Sequence, residues 1–394
     1  MLKTKYLLPL ILILCLLFAI PTYGADLFST YDQRIKLTID HTKIDSDLTW
    51  FPITLFITDA QMEEVFAEFD ADADFDRCAI TTSDESTQIY GDCERFDDSA
   101  SKGIYHVAKE ALVTDANAAG YLYFYFDNDA GHNTSYISMS GGVAAQKVWN
   151  DEFEGVWHKQ DATTSTILDS TSNNNDGTKY AANQPVEATG QVGKAQTYDG
   201  TDDYIDLGTN ATLNQSGNMT IECLVKANSD YTSTQEVFSN YYDDPNEIED
   251  KCNYILEFGR TDKRFSILQN SGYVGITNST DVDDDNWHHI VFTRNGSAGD
   301  WDLAMFLDGV ADGTVNAYAQ DPEGGTNPTS LGRLGDASLF YYKGTIDEAR
   351  LSSVARNAAW TKGTTNTLLD TLLTYGNKES APSGTHIFFT LGDF

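Results

Sequence analysis

The run KGTIDEARL, residues 343–351, places Asp347, Glu348 and Arg350 within four positions of one another. Two carboxyls beside a guanidinium are the side chains that acid–base hydrolysis of a glycosidic bond would use. In an extended chain successive side chains point to opposite faces. Asp347 therefore goes with Thr345, Ala349 and Leu351, and Glu348 with Ile346 and Arg350. Glycoside hydrolysis needs two carboxyls about 5–10 Å apart on one side of the scissile bond. Strict alternation denies this pair that geometry, so the expectation is a scaffold in which Glu348 and Arg350 pair at i and i+2. A carboxyl that shares a face with Ala349 and Leu351 is expected to be part-buried and to need hydrogen bonds or a metal.

Other reactive groupings fail on spacing. DADADFD at Asp70 and DVDDDNW at Asp281 start as EF-hand loops do, but Phe75 and Asn286 stand where glycine is required and the closing glutamate is missing. GQVGKA resembles a phosphate loop, yet Ala188 and Ala195 replace its first glycine and its hydroxyl residue. His288 and His289 are neighbours on a strand and face apart. Seven scattered histidines and the lack of a Gly-x-Ser-x-Gly turn give no nucleophile triad.

The elements that position these residues read as all β. The first 25 residues, with Lys3 and Lys5 ahead of an apolar run and Gly24-Ala25 behind it, have the layout of a secretory signal peptide. Residues 26–146 are read as one β-sandwich, with strands in RIKLTID, FPITLFIT, GIYHVAKE and GYLYFYF and one short helix over Met62, Val65, Phe66 and Phe69. Residues 147–375 hold a second antiparallel sandwich or jelly roll, its strands MTIECLVKA, YILEFGR, RFSILQ, WHHIVFTR, LAMFLDG and GTIDEARL broken by Gly, Asn and Asp turns. SSVARNAAW is read as a helix capped by Ser352 or Ser353, and residues 376–394 as a last strand or tail. Its end, THIFFTLGDF, is a strand of this chain or an addition to a neighbour's sheet, which would make the protein self-assemble.

Composition narrows the partners. The chain of 394 residues carries 60 acidic and 25 basic side chains, a formal net charge of -35. Such a surface repels phosphate backbones, so nucleic acid is not an expected partner. After signal removal no segment is long and apolar enough to span a bilayer. Four cysteines remain in an exported chain, and the expectation is two local disulfides, Cys78 with Cys93 and Cys223 with Cys252.

GVWHK at Gly155, LDSTSNNNDGT at Leu168, GQVGKAQTYDGTDDYIDL at Gly190, MTIECLVKA at Met219, NWHHIVFTR at Asn286, MFLDGV at Met305, LGR at Leu331 and GTIDEARLSSVARNAAW at Gly344 follow in this order. The series resembles the laminin-G-like branch of the concanavalin A-like lectin/glucanase superfamily, over about residues 148–375. The first region resembles an uncharacterised β domain that precedes such domains in bacterial exported proteins. The resemblance implies a jelly roll, recognition of sugars or glycoconjugates, adhesion or surface assembly, and no catalytic residues. The superfamily's glucanases use a Glu-x-Asp-x-x-Glu strand, which neither EIEDK at Glu247 nor DEFE at Asp151 supplies. In such sandwiches a structural calcium often ties the last strand to the start of the domain. Asp347 is the matching acid, with Asp169 and Asp199 as partners; the competing reading is that these acids build turns.

A sugar site needs exposed aromatics beside polar groups. Tyr241, Tyr242, Trp301, Tyr341 and Tyr342 lie in or next to loops and are the expected stacking residues. The resulting expectation is a secreted or cell-surface protein that binds extracellular glycan and is not an enzyme. The alternatives are a structural subunit of a surface assembly and, third, a glycoside hydrolase.

Overall fold

A computed structural model describes residues 30–382, apart from 109–112, 115–116, 151, 162–165, 181–183, 231–232, 243–250, 260–264 and 271–272. The signal-peptide segment and THIFFTLGDF lie outside the described residues.

Two sandwiches form, as the alternating patterns require. In the first, a sheet ordered Leu373–Ser380, Gln33–Ile39, Tyr121–Phe126, Cys78–Thr82 faces a sheet ordered Ile53–Thr58, Lys102–Ala108, Tyr90–Asp97, Ile137–Met139. Between them, Ile35, Leu37, Leu55, Cys93, Tyr105, Phe124 and Phe126 are fully buried. The expected short helix is present as Asp59–Glu68, with Met62 and Val65 buried.

The second sandwich is the jelly roll. Its first sheet centres on Lys343–Ser352, which pairs with Met219–Ala227 on one side. On the other side it pairs successively with Lys194–Asp199 and Phe153–Trp157. Its second sheet runs through Ile205–Gly208, Thr329–Leu331, Gln235–Tyr242 and Lys251–Phe258. Trp157, Tyr198, Ile221, Tyr254, Phe292 and Ile346 fill the space between the two.

The outer face of one sheet of each sandwich is covered by the other sandwich. Phe56 and Ile104 pack there against Val192, Leu224 and Leu368. The C-terminal segment then crosses back. The helix Ala358–Leu368 begins later than SSVARNAAW suggests, because Ser352 is still in the strand and Asn357 supplies the cap, its side chain accepting from the Trp360 amide. Trp360 inserts into the first core, 5.1 Å edge-on to Phe51. The strand Leu373–Ser380 completes the first sheet rather than closing the second sandwich. Ile53–Thr58 is an edge strand. Its outward amides at Thr54 and Phe56 donate to Thr367 Oγ1 (2.7 Å) and Tyr375 Oη (2.9 Å), so side chains of the returning segment close that edge.

The expected disulfides do not form: Cys78, Cys93, Cys223 and Cys252 are all buried free thiols. For Cys223 and Cys252 the register gives the reason. Tyr241 pairs with Cys252 and Asn240 with Tyr254, leaving Asn253 as an extra residue. This bulge turns Cys252 into an outer cluster with Tyr241 and Ile255, while Cys223 stays in the inner core. Cys78 and Cys93 sit on opposing sheets of the first core among apolar side chains, with Cys78 Sγ donating to the Phe75 carbonyl at 3.3 Å.

Two outcomes follow from this architecture. Alkylation without reductant should label none of these four thiols in the native chain and all four after unfolding, as read by mass spectrometry. Trp360→Ala should lower stability by about 3–5 kcal/mol in denaturant unfolding, the usual cost of emptying a buried aromatic site.

Candidate functional site

The opening pair of acids behaves differently from strict alternation. Along Lys343–Ser352, Ile346, Ala349 and Leu351 point into the jelly-roll core. Between Glu222 and Leu224 on the neighbouring strand the register slips by one residue, pairing Glu222 with Arg350 but Leu224 with Asp347. Glu348 absorbs the extra residue at φ 45°, a left-handed conformation costly for a side chain larger than glycine. Asp347 and Glu348 thus both leave the core and are buried against the first sandwich. The expectation that they face apart is corrected by this bulge; the pairing of Glu348 with Arg350 is present at 2.5 Å.

The outward positions of three first-domain strands meet them: Thr54, Asp92 and Glu94, and His106. His158, just past the Phe153–Trp157 strand, completes the group. His106 and His158 stack with ring centres 4.3 Å apart. His158 Nδ1 lies 2.5 Å from Glu348 Oε1 and its Nε2 lies 3.1 Å from Asp92 Oδ2. Asp92 also accepts from Trp149 Nε1 (2.9 Å) and Ser140 Oγ (2.7 Å). His106 Nε2 lies 3.3 Å from Glu94 Oε2 and 3.9 Å from Glu348 Oε1, and its Nδ1 is 3.1 Å from Thr54 Oγ1. Glu222 approaches Arg350 at 3.4 Å and His289 at 3.6 Å, extending the network.

Burial and proximity sort the charges. Burial would raise the Glu348 carboxyl, but His158, His106 and Arg350 outweigh it and hold it well below the usual range. Burial would likewise neutralise His158, which Glu348 and Asp92 keep cationic. His106 is pushed down to about 3 by burial and by His158. Glu94 is pushed up to about 8 by burial and by Glu348, and Asp347 rises for the same two reasons. Lys159, buried beside them, falls to about 7 through desolvation. A cavity of about 80 Å³ touches Glu94, His158 and Lys159.

A larger opening lies on the other side of Trp149. This cleft, of about 680 Å³, is lined by Trp50, Tyr90 and Trp149 with Gln146, Lys147, Asn150 and Ser172. It is built where the first sandwich, the 143–150 connection and the 168–176 loop meet. Tyr90 stacks on Tyr136 at 5.1 Å, and Lys147 lies over the Tyr90 ring at 5.0 Å. Trp50 is held at φ 55°, and its indole N–H has no partner among the described residues. Trp149 is the shared wall, its ring lining the cleft while its N–H donates to Asp92 in the buried cluster.

The residues expected from sequence sit elsewhere. Tyr342 is fully buried, Trp301 is 4% exposed and Tyr241 is 7% exposed. Trp301 donates to Asp321, and all three are core side chains that cannot stack on a sugar. Tyr242 and Tyr341 are half-buried and line neither opening described here. Asp169, Asp199 and Asp347 do not converge. Asp169 accepts from the amides of Val156, Thr171 and Asn175 and from the Thr171 hydroxyl, binding its loop to the Phe153–Trp157 strand. Asp347 accepts from the Val192 and Glu348 amides. Asp199 groups instead with Asp202 and Asp203, where its carboxylate receives the amides of Thr201 and Asp202 in a turn. The calcium set expected from the resemblance is therefore not assembled from these three residues.

Residues 199–361 match the family model of the concanavalin A-like lectin/glucanases superfamily. The jelly roll belongs to that superfamily. No curated protein matches the chain. Among solved structures the chain is similar to the binding domain of Paraclostridial Mosquitocidal Protein 1, with 13% identity, a TM-score of 0.42 and coverage of 55% of this chain and 52% of that one. It is also similar to domain 4 of AbnA, a GH43 extracellular arabinanase from Geobacillus stearothermophilus, in complex with arabinotriose (18% identity, TM-score 0.39, 56% and 98% covered). A third is Trypanosoma rangeli sialidase in complex with sialic acid (10% identity, TM-score 0.42, 72% and 45% covered). The chain spans about half the length of the first of these.

The Glu94 proton has a measurable signature. Folded, the carboxyl holds its proton up to about pH 8 against an ordinary value of 4.5. Its contribution is therefore full below the ordinary value and is lost as pH rises through the folded one. Glu94→Gln, neutral at every pH, should gain stability relative to the unmutated chain as pH rises from 4.5 to 8, read by urea unfolding across that range.

Proposed function

We propose that the protein is an exported, non-catalytic glycan-binding protein, and that the sugar lies in the cleft between Trp50, Tyr90 and Trp149. The fold supports carbohydrate binding at the level of the superfamily. The observation that carries the finer reading is the lining of the cleft: the half-buried rings of Trp50 and Tyr90, above a wall formed by the core residue Trp149, beside the amides of Gln146 and Asn150 and the hydroxyl of Ser172. Ring faces stack on the apolar faces of pyranoses, and amides and hydroxyls pair with their hydroxyls.

The reading as a binding protein draws support from where the carboxyls are. Asp92, Glu94, Asp347 and Glu348 are at most 1% exposed. The nearest cavity, of about 80 Å³, is too small to admit a pyranose and two flanking acids.

Retention on a panel of soluble and insoluble polysaccharides, with reducing ends assayed in the same tubes, tests both parts. Trp50→Ala and Tyr90→Ala should each weaken retention about tenfold or more, the equivalent of about 1.4 kcal/mol or above for lost aromatic burial. Tyr342 is no candidate for this test, since it belongs to the core. Release of reducing ends, or retention indifferent to both substitutions, would sink the proposal.

A further inference from the structure

We propose that Glu94, His106, His158 and Glu348 form a binding site for a divalent first-row transition-metal ion, with zinc the best match, that clamps the two sandwiches together.

The four side chains are fully or almost fully buried, and one donor atom from each lies within 4.8 Å of all the others. A tetrahedral zinc with nitrogen and oxygen ligands near 2.1 Å places its donors about 3.4 Å apart. The separations of 2.5, 3.3 and 3.9 Å between His158 Nδ1 and Glu348 Oε1, His106 Nε2 and Glu94 Oε2, and His106 Nε2 and Glu348 Oε1 bracket that spacing.

An independent observation concerns the far atom of each side chain. His158 Nε2 is held by Asp92, itself fixed by Trp149 and Ser140. His106 Nδ1 is held by Thr54 Oγ1. Glu94 Oε1 accepts from the Lys194 amide at 3.1 Å, and Glu348 Oε2 from Arg350. All four are thus oriented from behind, with their remaining donor atoms turned to a common point. Metal sites orient their ligands in this way, and a histidine backed by a carboxylate is the commonest form. Gly193 also fits, because a Cβ there would come within 1.9 Å of Glu94 Oε1.

The surroundings give the ion a route. The cavity beside Glu94 and His158 reaches the surface at Gln160 and Leu168. Lys159 Nζ is buried beside this cavity with no hydrogen-bond partner among the described residues. Two imidazoles suit zinc, cobalt or nickel; calcium prefers six to eight oxygens. Glu94 and His106 come from the first sandwich and His158 and Glu348 from the second, so the ion would cross-link sheets that already meet through an apolar patch and a polar network.

The purified full-length chain, stripped with chelator and dialysed, would be titrated with zinc chloride by calorimetry and with cobalt chloride by visible absorption. One equivalent per chain, with a four-coordinate cobalt spectrum, is expected. Glu94→Gln and His106→Gln should abolish the stoichiometric uptake, Asp92→Asn should weaken it about 10–100-fold, and Asp199→Asn should leave it unchanged. Glu94→Gln puts a neutral side chain of the same shape where Glu94 itself holds its proton up to about pH 8, and is the variant expected to fold even if His106→Gln does not. Failure of the unmutated chain to take up either metal, or uptake that Glu94→Gln leaves intact, would overturn the proposal. None of these readouts depends on glycan binding.

Discussion

The ion network around Glu348 is the constraint on which the arrangement of the two sandwiches rests. Glu348 touches His158, Arg350 and, more distantly, His106, and through them Asp92, Glu94 and Glu222. A buried carboxylate without such partners would carry a desolvation cost of several kcal/mol. Its partners come from strands of both sandwiches, so its solvation is complete only when the two sheets are docked. The apolar contacts at Phe56, Ile104, Val192, Leu224 and Leu368 supply attraction, while the polar network supplies register.

The bulge at Glu348 makes the network geometrically possible. A regular strand would bury either Asp347 or Glu348 in the jelly-roll core, among Ile346, Ala349 and Leu351. One extra residue lets both acids leave the core on the same side, at the expense of a left-handed backbone at a non-glycine position. Lys159, at the edge of the same cluster, also has positive φ. Strain of this kind persists where surrounding contacts over-determine it, and here these are the contacts between the sandwiches.

Trp149 couples this buried network to the open cleft. One edge of its indole is tied to Asp92, its ring lies 5.6 Å from both His106 and His158, and Arg350 approaches its face at 5.1 Å. The wall of the cleft is thereby positioned by the same groups that join the sandwiches.

Period-two alternation in RIKLTID, FPITLFIT, MTIECLVKA and WHHIVFTR determined the all-β class and most strands, because the inner face of a sandwich must be apolar whatever lies outside it. The ordered series of motifs determined the superfamily of the second sandwich, and the pairing of Glu348 with Arg350 follows from their spacing. Tertiary structure alone decided the rest. Asp92, Glu94 and His106 occupy outward positions that alternation assigns to water, and only the docked second sandwich buries them. The sequence shows Trp50, Tyr90 and Trp149 far apart, and Tyr342 and Trp301 beside turns. Distance along the chain says nothing of which aromatics a fold gathers at a junction and which it folds into a core. The four cysteines could be counted but not paired, since a single bulge at Asn253 reverses the face of Cys252. Local periodicity fixes which side of a strand a residue takes; what covers that side is a property of the whole chain.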